Sequence, residues 1–256
     1  MVTTNESATG RAVLVTGAAR GIGGAIAKRF AAAGDRVAIL DKLPSDTAEK
    51  VLAELDGSGH VVVEVDLTDS AAVLSAVDSA VEQLGGLDVL VNNAGVFTAH
   101  PLTEVSYQDW QEHWQTTLGV NLIGAANVTW CAVQHMKDRG GRIVNVTSRG
   151  AFRGEPTGPA YGASKAGLNS LTQSLAIALA PHRIAVTAVA PGFTESPMAR
   201  PFLESPEGDS IRAQSPFGRV GQPDEIAAGV FYLASAQAEW ASGTVLDLNG
   251  ASYLRT

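Results

Sequence analysis

Thiol chemistry is almost missing from these 256 residues. One cysteine, Cys131, stands alone, which excludes an intrachain disulfide and any metal site built from several thiolates. It sits in the apolar stretch AANVTWCAVQHM, where a thiol packs as a small hydrophobe and is no candidate nucleophile. Positive charge is scarce too. Lys and Arg number 18 against 26 Asp and Glu, a net of 18 − 26 = −8, and no basic block occurs. Nucleic acid and anionic membrane surfaces, which both need a basic face, are thereby excluded as main partners. No uninterrupted apolar run reaches membrane-spanning length, and the opening MVTTNESATG lacks the basic-then-apolar order of a secretory leader. The expectation is a cytoplasmic chain with a flexible N-terminus over residues 1–10.

What is present is a globular composition, 45% hydrophobic and 17% charged, arranged with a clear period. Short runs rich in Val and Ile occur at 12–17 (AVLVTG), 36–41 (RVAILD), 60–67 (HVVVEVDL), 87–95 (LDVLVNNAG), 142–148 (RIVNVTS), 183–192 (RIAVTAVAPG) and 244–250 (TVLDLNG). Near-continuous apolar runs of this length suit strands buried on both faces of a parallel sheet. Amphipathic helical stretches lie between them, as at 23–34 and 70–85. Strand then helix, repeated without a linker or a shift in composition, predicts an α/β fold: one doubly wound domain over 11–256 with a mostly parallel seven-stranded sheet. The least regular segment, 192–221, holds four of the eleven prolines and is read as a lid over a binding site.

The first strand runs into T-G-A-A-R-G-I-G at 16–23. Glycines 17, 21 and 23 permit a tight turn and a close backbone approach to a pyrophosphate, which the following helix would face with its N-terminus. The spacing G-x-x-x-G-x-G departs from the usual G-x-G-x-x-G, and a glycine-rich turn without a ligand fits it equally well. Asp41 tips the balance. It ends the second strand, 18 residues beyond Gly23, near the ~20-residue offset of an acid that binds a ribose 2′-hydroxyl. A carboxylate there repels a 2′-phosphate and so favours NAD over NADP, although Arg20 and Lys42 lie close enough in sequence to work the other way. Asp66 and the Asn92-Asn93-Ala94-Gly95 stretch close the next two strands, where a cofactor lies in such sheets; Asp66 is placed to accept from an adenine amino group.

Tyr161 and Lys165 stand four residues apart where a helix is expected to begin, so they share one face. A phenol, with a pKa of about 10, is a poor acid or base at neutral pH. A neighbouring ammonium and a positively charged nicotinamide would both stabilise the phenolate and pull that value down. Ser148, at the preceding strand end, is placed to donate to the same substrate oxygen. A lone Tyr-x-x-x-Lys is an ordinary amphipathic pair; its company gives it meaning.

Together these residues resemble the short-chain dehydrogenases/reductases. The resemblance runs from about residue 10 to the C-terminus through T-G-x-x-x-G-x-G at 16–23, N-N-A-G at 92–95, Asn121 of V-N-L, Ser148, Y-x-x-x-K at 161–165 and P-G at 191–192. It implies an NAD(P)-dependent oxidoreductase acting on a secondary alcohol or ketone. Tyr161 would be the general acid/base and Ser148 the holder of the substrate oxygen. Lys165 would bind the nicotinamide ribose, and Asn121 would support a water-linked proton relay. Gly17, Arg20, Gly21, Ile22, Gly23, Asp41, Asp66, Leu67, Asn93, Ala94, Gly95, Pro191 and Gly192 would line the cofactor with Tyr161 and Lys165. The family's P-G-x-x-x-T puts Ser196 at the threonine, with Thr194 two residues earlier, so either hydroxyl is a candidate for the nicotinamide amide. Thr187 stands where many relatives carry Asn.

The substrate is expected between Val96, Phe97 and His100, the loop 149–156, and the lid. Phe97, Phe152, Phe193 and Met198 would make an apolar wall. Arg149, Arg153 and Glu155 could bind a polar or anionic group, although loop charges like these are more often solvated, and His100 could touch substrate, although beside Pro101 it reads first as a surface loop residue. A 3-oxoacyl-thioester reductase using NADPH is the rival enzyme, and a catalytically silent nucleotide-binding regulator the rival of another class. No metal site is expected. The segments 107–136 and 161–180 carry more apolar residues than one buried stripe requires, which, with the C-terminal strand and tail, leads to the expectation of a homotetramer.

Overall fold

The computed structural model describes residues 10–42 and 45–255. Seven strands, β1 (Ala12–Thr16), β2 (Arg36–Asp41), β3 (Val61–Glu64), β4 (Val89–Asn92), β5 (Gly141–Val146), β6 (Ile184–Pro191) and β7 (Val245–Leu248), pair in the order β3-β2-β1-β4-β5-β6-β7. Every pairing is parallel, so the mostly parallel sheet expected is wholly so. Strand cores fall where the Val/Ile runs put them, but several end earlier. Asp66 and Leu67 lie beyond β3, and Asn93 to Gly95 lie beyond β4. The segment 1–10, expected to be flexible, lies outside the described residues except for Gly10, which is packed: a Cβ there would stand 1.8 Å from Gly34 O.

Helices α1 (Gly21–Ala32), α2 (Ser45–Ala53), α3 (Ser70–Leu84), α4 (Tyr107–Leu118), α5 (Ala125–Met136), α6 (Gly150–Arg153), α7 (Pro159–Leu179), α8 (Arg200–Leu203), α9 (Gly208–Ala213) and α10 (Pro223–Leu233) complete the chain. Alternation along the strands feeds two cores. Val13 and Val15 of β1 join Ile26 and Phe30 of α1 and Ile226 and Val230 of α10. On the other face Leu14 and Ile143 join Val77 of α3 and Val128 of α5. Helix ends are set by local chemistry: Asp69 accepts from Ala71 N and Ala72 N at the start of α3, and Gly85 closes it at φ 72°, a left-handed conformation that suits glycine.

Strand order reverses between β1 and β4, so the connections leaving these strands diverge and open a crevice at their carboxyl ends. Two features refine the sequence reading. The segment 192–221, expected as a lid, contains α8 and α9 and is pinched at its base, where Glu195 N donates to Gly221 O and Gly221 N to Phe193 O, both at 2.9 Å. The run Tyr107–Met136 is continuous through a π-helical turn at Gly119–Gly124 and reaches a mean hydropathy of 1.2 over an 18-residue window, enough by length and composition to cross a membrane. The expected lack of such a span therefore holds only for uninterrupted apolar runs. In this fold Val128, Ala132 and Met136 of the same run are fully buried in the sheet core.

Candidate active site

The crevice opens into a cleft of about 970 Å³ along the carboxyl ends of the strands. At one end lies the glycine loop. Gly17 and Gly21 have φ of 66° and 55°. A Cβ at Gly17 would sit 2.7 Å from Ala94 Cα, and one at Gly23 2.2 Å from Gly17 O and 2.5 Å from Asn93 Nδ2. Only glycine lets this loop fold tightly against the end of β4 and present its backbone to the cleft. Asn93 fastens the two together, donating from Nδ2 to Thr16 O at 2.9 Å and Gly17 O at 3.0 Å, while Thr16 Oγ1 accepts from Asn93 N and Ala94 N. The cradle and the N-terminus of α1 behind it fit the pyrophosphate of a dinucleotide.

Asp41 Oδ2 accepts from Ala19 N at 2.9 Å, which holds its carboxylate against the glycine loop. Lys42 Nζ reaches across to Asp66 Oδ2 at 2.5 Å, and Asp66 Oδ1 accepts from Thr68 N and Oγ1. These bonds, that of Lys42 foremost, hold the Asp66 carboxyl down at about 2. Both oxygens are thus engaged within the protein, leaving an adenine amino group only their remaining lone pairs. Arg20 is exposed at the mouth of the cleft.

At the other end stand the residues expected to react. Pro159 opens α7, where its missing N–H is no loss, and Tyr161 and Lys165 follow on one face with Lys165 Nζ 5.8 Å from the phenol ring centroid. Lys165 is 3% exposed and donates to Val146 O at 2.9 Å. Ser148 Oγ is oriented by accepting from Gly150 N at 3.0 Å and is hydrogen-bonded to the Tyr161 side chain. The ionisation of the phenol departs from the sequence expectation. Desolvation pushes Tyr161 up to about 12, a rise abetted by the Glu155 carboxylate and opposed by the Ser148 bond, while burial pulls Lys165 down to about 8. Burial outweighs the ammonium, so the protein by itself keeps Tyr161 a phenol.

Asn121 lies in the π-helical turn, not in regular helix. Its Nδ2 donates to Val96 O at 3.0 Å and Ser164 Oγ at 3.1 Å, and its Oδ1 accepts from Val96 N at 2.8 Å. The amide braces the chain after β4 against α7. Gly124 closes the same turn, where a Cβ would come within 2.8 Å of Leu67 Cβ. Pro191, Gly192, Thr194 and Ser196 also line the cleft. Thr194 Oγ1 donates to Gly192 O at 3.2 Å at the lid base, and Ser196 Oγ accepts from Ala199 N at 3.2 Å. Thr187, buried in β6, has its hydroxyl 3.5 Å from Ile143 O, and nothing in the structure gives the change a function.

Three substrate-side expectations are corrected. Phe97 and Phe193 do form a wall, with Phe97 edge-on to Tyr161 at 5.3 Å and to Phe202 of the lid at 5.5 Å. Phe152 does not join it; its ring lies beneath the Arg255 guanidinium at 4.0 Å. His100 is fully buried and stacks on His113 at 5.0 Å. Its Nδ1 faces Thr98 O at 2.8 Å and so donates, which leaves Nε2 to accept from Ala160 N at 3.3 Å in the first turn of α7. A loop histidine thereby satisfies an N–H that the helix cannot. His100→Ala should lower stability by about 1–3 kcal/mol through that orphaned donor, read as a fall in Tm, with His100→Gln recovering part; an unchanged Tm in the Ala variant would show the bond to be idle. Of the two readings of Arg149, the solvated loop charge fails, since the residue is 2% exposed.

Sequence reasoning also passed over a buried polar chain beneath the site. Asn92 Nδ2 donates to Asn145 Oδ1 and Thr129 Oγ1, both at 2.9 Å, and Asn145 Nδ2 donates to Thr172 Oγ1 of α7 at 2.8 Å. Its signal was visible: an amide breaks an otherwise apolar run in two strands that prove to be neighbours.

Comparison with known proteins agrees with this geometry. A family model described as Enoyl-(Acyl carrier protein) reductase matches residues 17–250. An uncharacterized short-chain type dehydrogenase/reductase of Sinorhizobium fredii is 40% identical over 243 residues, 94% of this chain; the chain spans 43% of that relative's length. A 3-oxoacyl-[acyl-carrier-protein] reductase of Aquifex aeolicus is 38% identical, with 95% of this chain and 98% of the relative covered. Among solved structures, a 3-ketoacyl-(acyl-carrier-protein) reductase of Brucella melitensis complexed with NADH superposes with a TM-score of 0.87 at 34% identity, covering 97% of this chain and 100% of that one. A short chain dehydrogenase of Burkholderia cenocepacia in complex with NADP gives 0.87 at 37% identity, with 96% and 98% covered. With the glycine cradle and the Ser148, Tyr161 and Lys165 cluster sharing one cleft, the chain belongs to the short-chain dehydrogenase/reductase family.

Proposed function

We propose that this oxidoreductase moves a hydride between NAD(H) and the carbon of a secondary alcohol or ketone, with Tyr161 as general acid/base. The observation that carries the reading is the meeting of Ser148, Tyr161 and Lys165 at the far end of the cleft that begins at the glycine loop. The dinucleotide supplies the hydride-accepting and hydride-donating ring. Gly17, Arg20, Gly21, Ile22 and Gly23 hold its pyrophosphate, Asp41 the adenosine ribose, and Asp66 and Leu67 the adenine. Asn93, Ala94 and Gly95 pack along it, and Pro191, Gly192, Thr194 and Ser196 flank the nicotinamide. Ser148 orients the substrate oxygen, and Tyr161 gives or takes its proton. Lys165 binds the nicotinamide ribose and favours the phenolate once cofactor charge offsets the burial that keeps the phenol neutral in the protein alone. Asn121 holds α7 in place; since both ends of its amide are engaged, a proton relay runs beside its side chain rather than through it.

NAD is the proposed cofactor. Asp41 stands at the loop where a 2′-phosphate would come, and Lys42 is committed to Asp66. A 3-oxoacyl thioester is the second reading of the substrate, favoured by the names of the Aquifex relative and the Brucella structure; the latter was solved with NADH. A silent regulator is disfavoured by the intact reacting cluster. Oxidation of diols, sugars, steroids and hydroxyacyl thioesters with NAD and with NADP, followed by the absorbance of reduced nicotinamide, tests the proposal. Turnover of none of them with either cofactor would refute it.

We read residues 11–256 as one catalytic domain in the cytoplasm, with 192–221 as its lid, assembled as a homotetramer. Ile123, Trp130 and Ile177 on the helical face and Phe217, Trp240 and Leu254 near β7 are all more than half exposed, two apolar patches that two-fold contacts would cover. Light scattering at micromolar concentration should give about four times 26.5 kDa. A mass near one chain would refute the assembly, and a mass near two would leave only one of the contacts.

A further inference from the structure

We propose that Arg149 anchors a carboxylate of the substrate, so that the alcohol or ketone turned over is a hydroxy or oxo acid. This rests on the cleft's reading as an alcohol/ketone site and adds the substrate's class. Arg149 directly follows Ser148, and its backbone N–H donates to Pro191 O at 3.0 Å, fixing it over the end of β6. The side chain is 2% exposed and lies with its guanidinium carbon 5.2 Å from the centre of the Phe193 ring. Its Nη1 donates to Ser252 Oγ and its Nη2 to Gln214 Oε1, two neutral acceptors.

The charge itself is left without a counter-ion. Among the described residues no carboxylate forms an ion pair with Arg149; Glu155, whose charge acts on it, pairs instead with Arg153 at 3.4 Å. Burial pulls the guanidinium down to about 10, still fully protonated at neutral pH. A buried cation held only by neutral groups is an expensive arrangement in a core and a common one in a binding site, where the ligand brings the opposite charge.

Its placement selects the ligand. Arg149 lines both the reaction cleft and a side cavity of about 290 Å³ on the side of β7, so it stands between the two. A substrate whose reacting carbon sits by Ser148 and Tyr161 would reach it along the wall of Phe97, Phe193 and Phe202 that lines the same cleft. The planar fork of guanidinium donors, two of its five N–H groups already used, matches a carboxylate. Arg153 adds positive charge at the rim, largely answered by Glu155.

The test uses the full-length protein with NAD bound and two readouts. Short-chain 2-, 3- and 4-hydroxy acids should be oxidised with kcat/KM about ten- to a hundredfold above their methyl esters, the size of a charge-assisted hydrogen bond. In Arg149→Met that ratio should fall to within about twofold, and Arg149→Lys should keep part of it. Separately, butyrate should raise the Tm of the wild type where 1-butanol does not, and the rise should vanish in Arg149→Met. Esters preferred by the wild type, an acid preference that survives in Arg149→Met, or stabilisation by inorganic phosphate in place of butyrate would overturn the proposal. If no alcohol is oxidised yet butyrate still protects only the wild type, the anchor stands and the redox reading falls. If alcohols are oxidised without regard to a carboxylate, the anchor falls alone.

Discussion

Tyr161→Phe should reduce turnover by about 10²–10⁴-fold, the usual share of a general acid/base, while NADH binds nearly as tightly as to the wild type. The reasoning is structural as well as chemical. The phenol is desolvated and sits up at about 12 in the protein alone, and phenylalanine offers no proton in its place. The ring contact with Phe97 survives the substitution, and the fold should not notice it. Lys165→Ala should differ in kind, damaging turnover and NADH affinity together, because one ammonium serves the ribose and the phenol. Burial has brought that ammonium down to about 8, so kcat/KM for NAD, which reports groups of the free protein, should fall as pH rises through about 8. Wild-type-like turnover in Tyr161→Phe would remove the tyrosine from the mechanism.

Replacing Asp41 by Ala should move cofactor choice towards NADP. The loss of a charge-assisted hydrogen bond to the ribose, roughly 1.5–3 kcal/mol, weakens NAD by about ten- to a hundredfold. Repulsion of a 2′-phosphate disappears at the same time, so the ratio of kcat/KM for NADP over NAD rises by more than either effect alone. The tie between Lys42 and Asp66 limits how far it can rise, since that ammonium is already occupied, and Arg20 is the exposed cation beside the glycine loop that can answer a 2′-phosphate. A wild type that already prefers NADP would mean that Arg20 and Lys42 outweigh Asp41.

What could be read in advance followed the period of the chain. Buried parallel strands announce themselves as Val/Ile runs, and ligands collect at their carboxyl ends, so Gly17, Asp41, Asn93 and Ser148 were legible as candidate positions, whereas Gly192 came from the resemblance; all five line the cleft. Tyr161 and Lys165 were legible because helical spacing puts them on one face in the company of a glycine loop and of Ser148 at the preceding strand end. The residues misread share a different cause. His100 reads as a loop residue until a segment sixty positions away, the start of α7, comes to rest on it. Arg149 reads as a solvated charge until Gln214 of the lid and Ser252 of the tail close over it. Asn121 stands in a π-helical turn that ends at Gly124, whose missing Cβ leaves room for Leu67, a contact between elements that no local pattern announces. The Tyr161 phenol shows the same limit in energetic form: spacing reveals the ammonium that would lower its pKa, whereas the burial that raises it belongs to the folded cleft.

The central claim, direct hydride transfer with Tyr161 as the proton carrier, is tested most directly with the best substrate from the oxidation screen, deuterated at its carbinol carbon. Mixed with NAD and the wild-type protein, it should deliver deuterium to the nicotinamide ring, seen as a one-mass-unit gain in the NADH formed, and Tyr161→Phe should form almost none. Oxidation of the substrate with no deuterium in NADH would contradict the account.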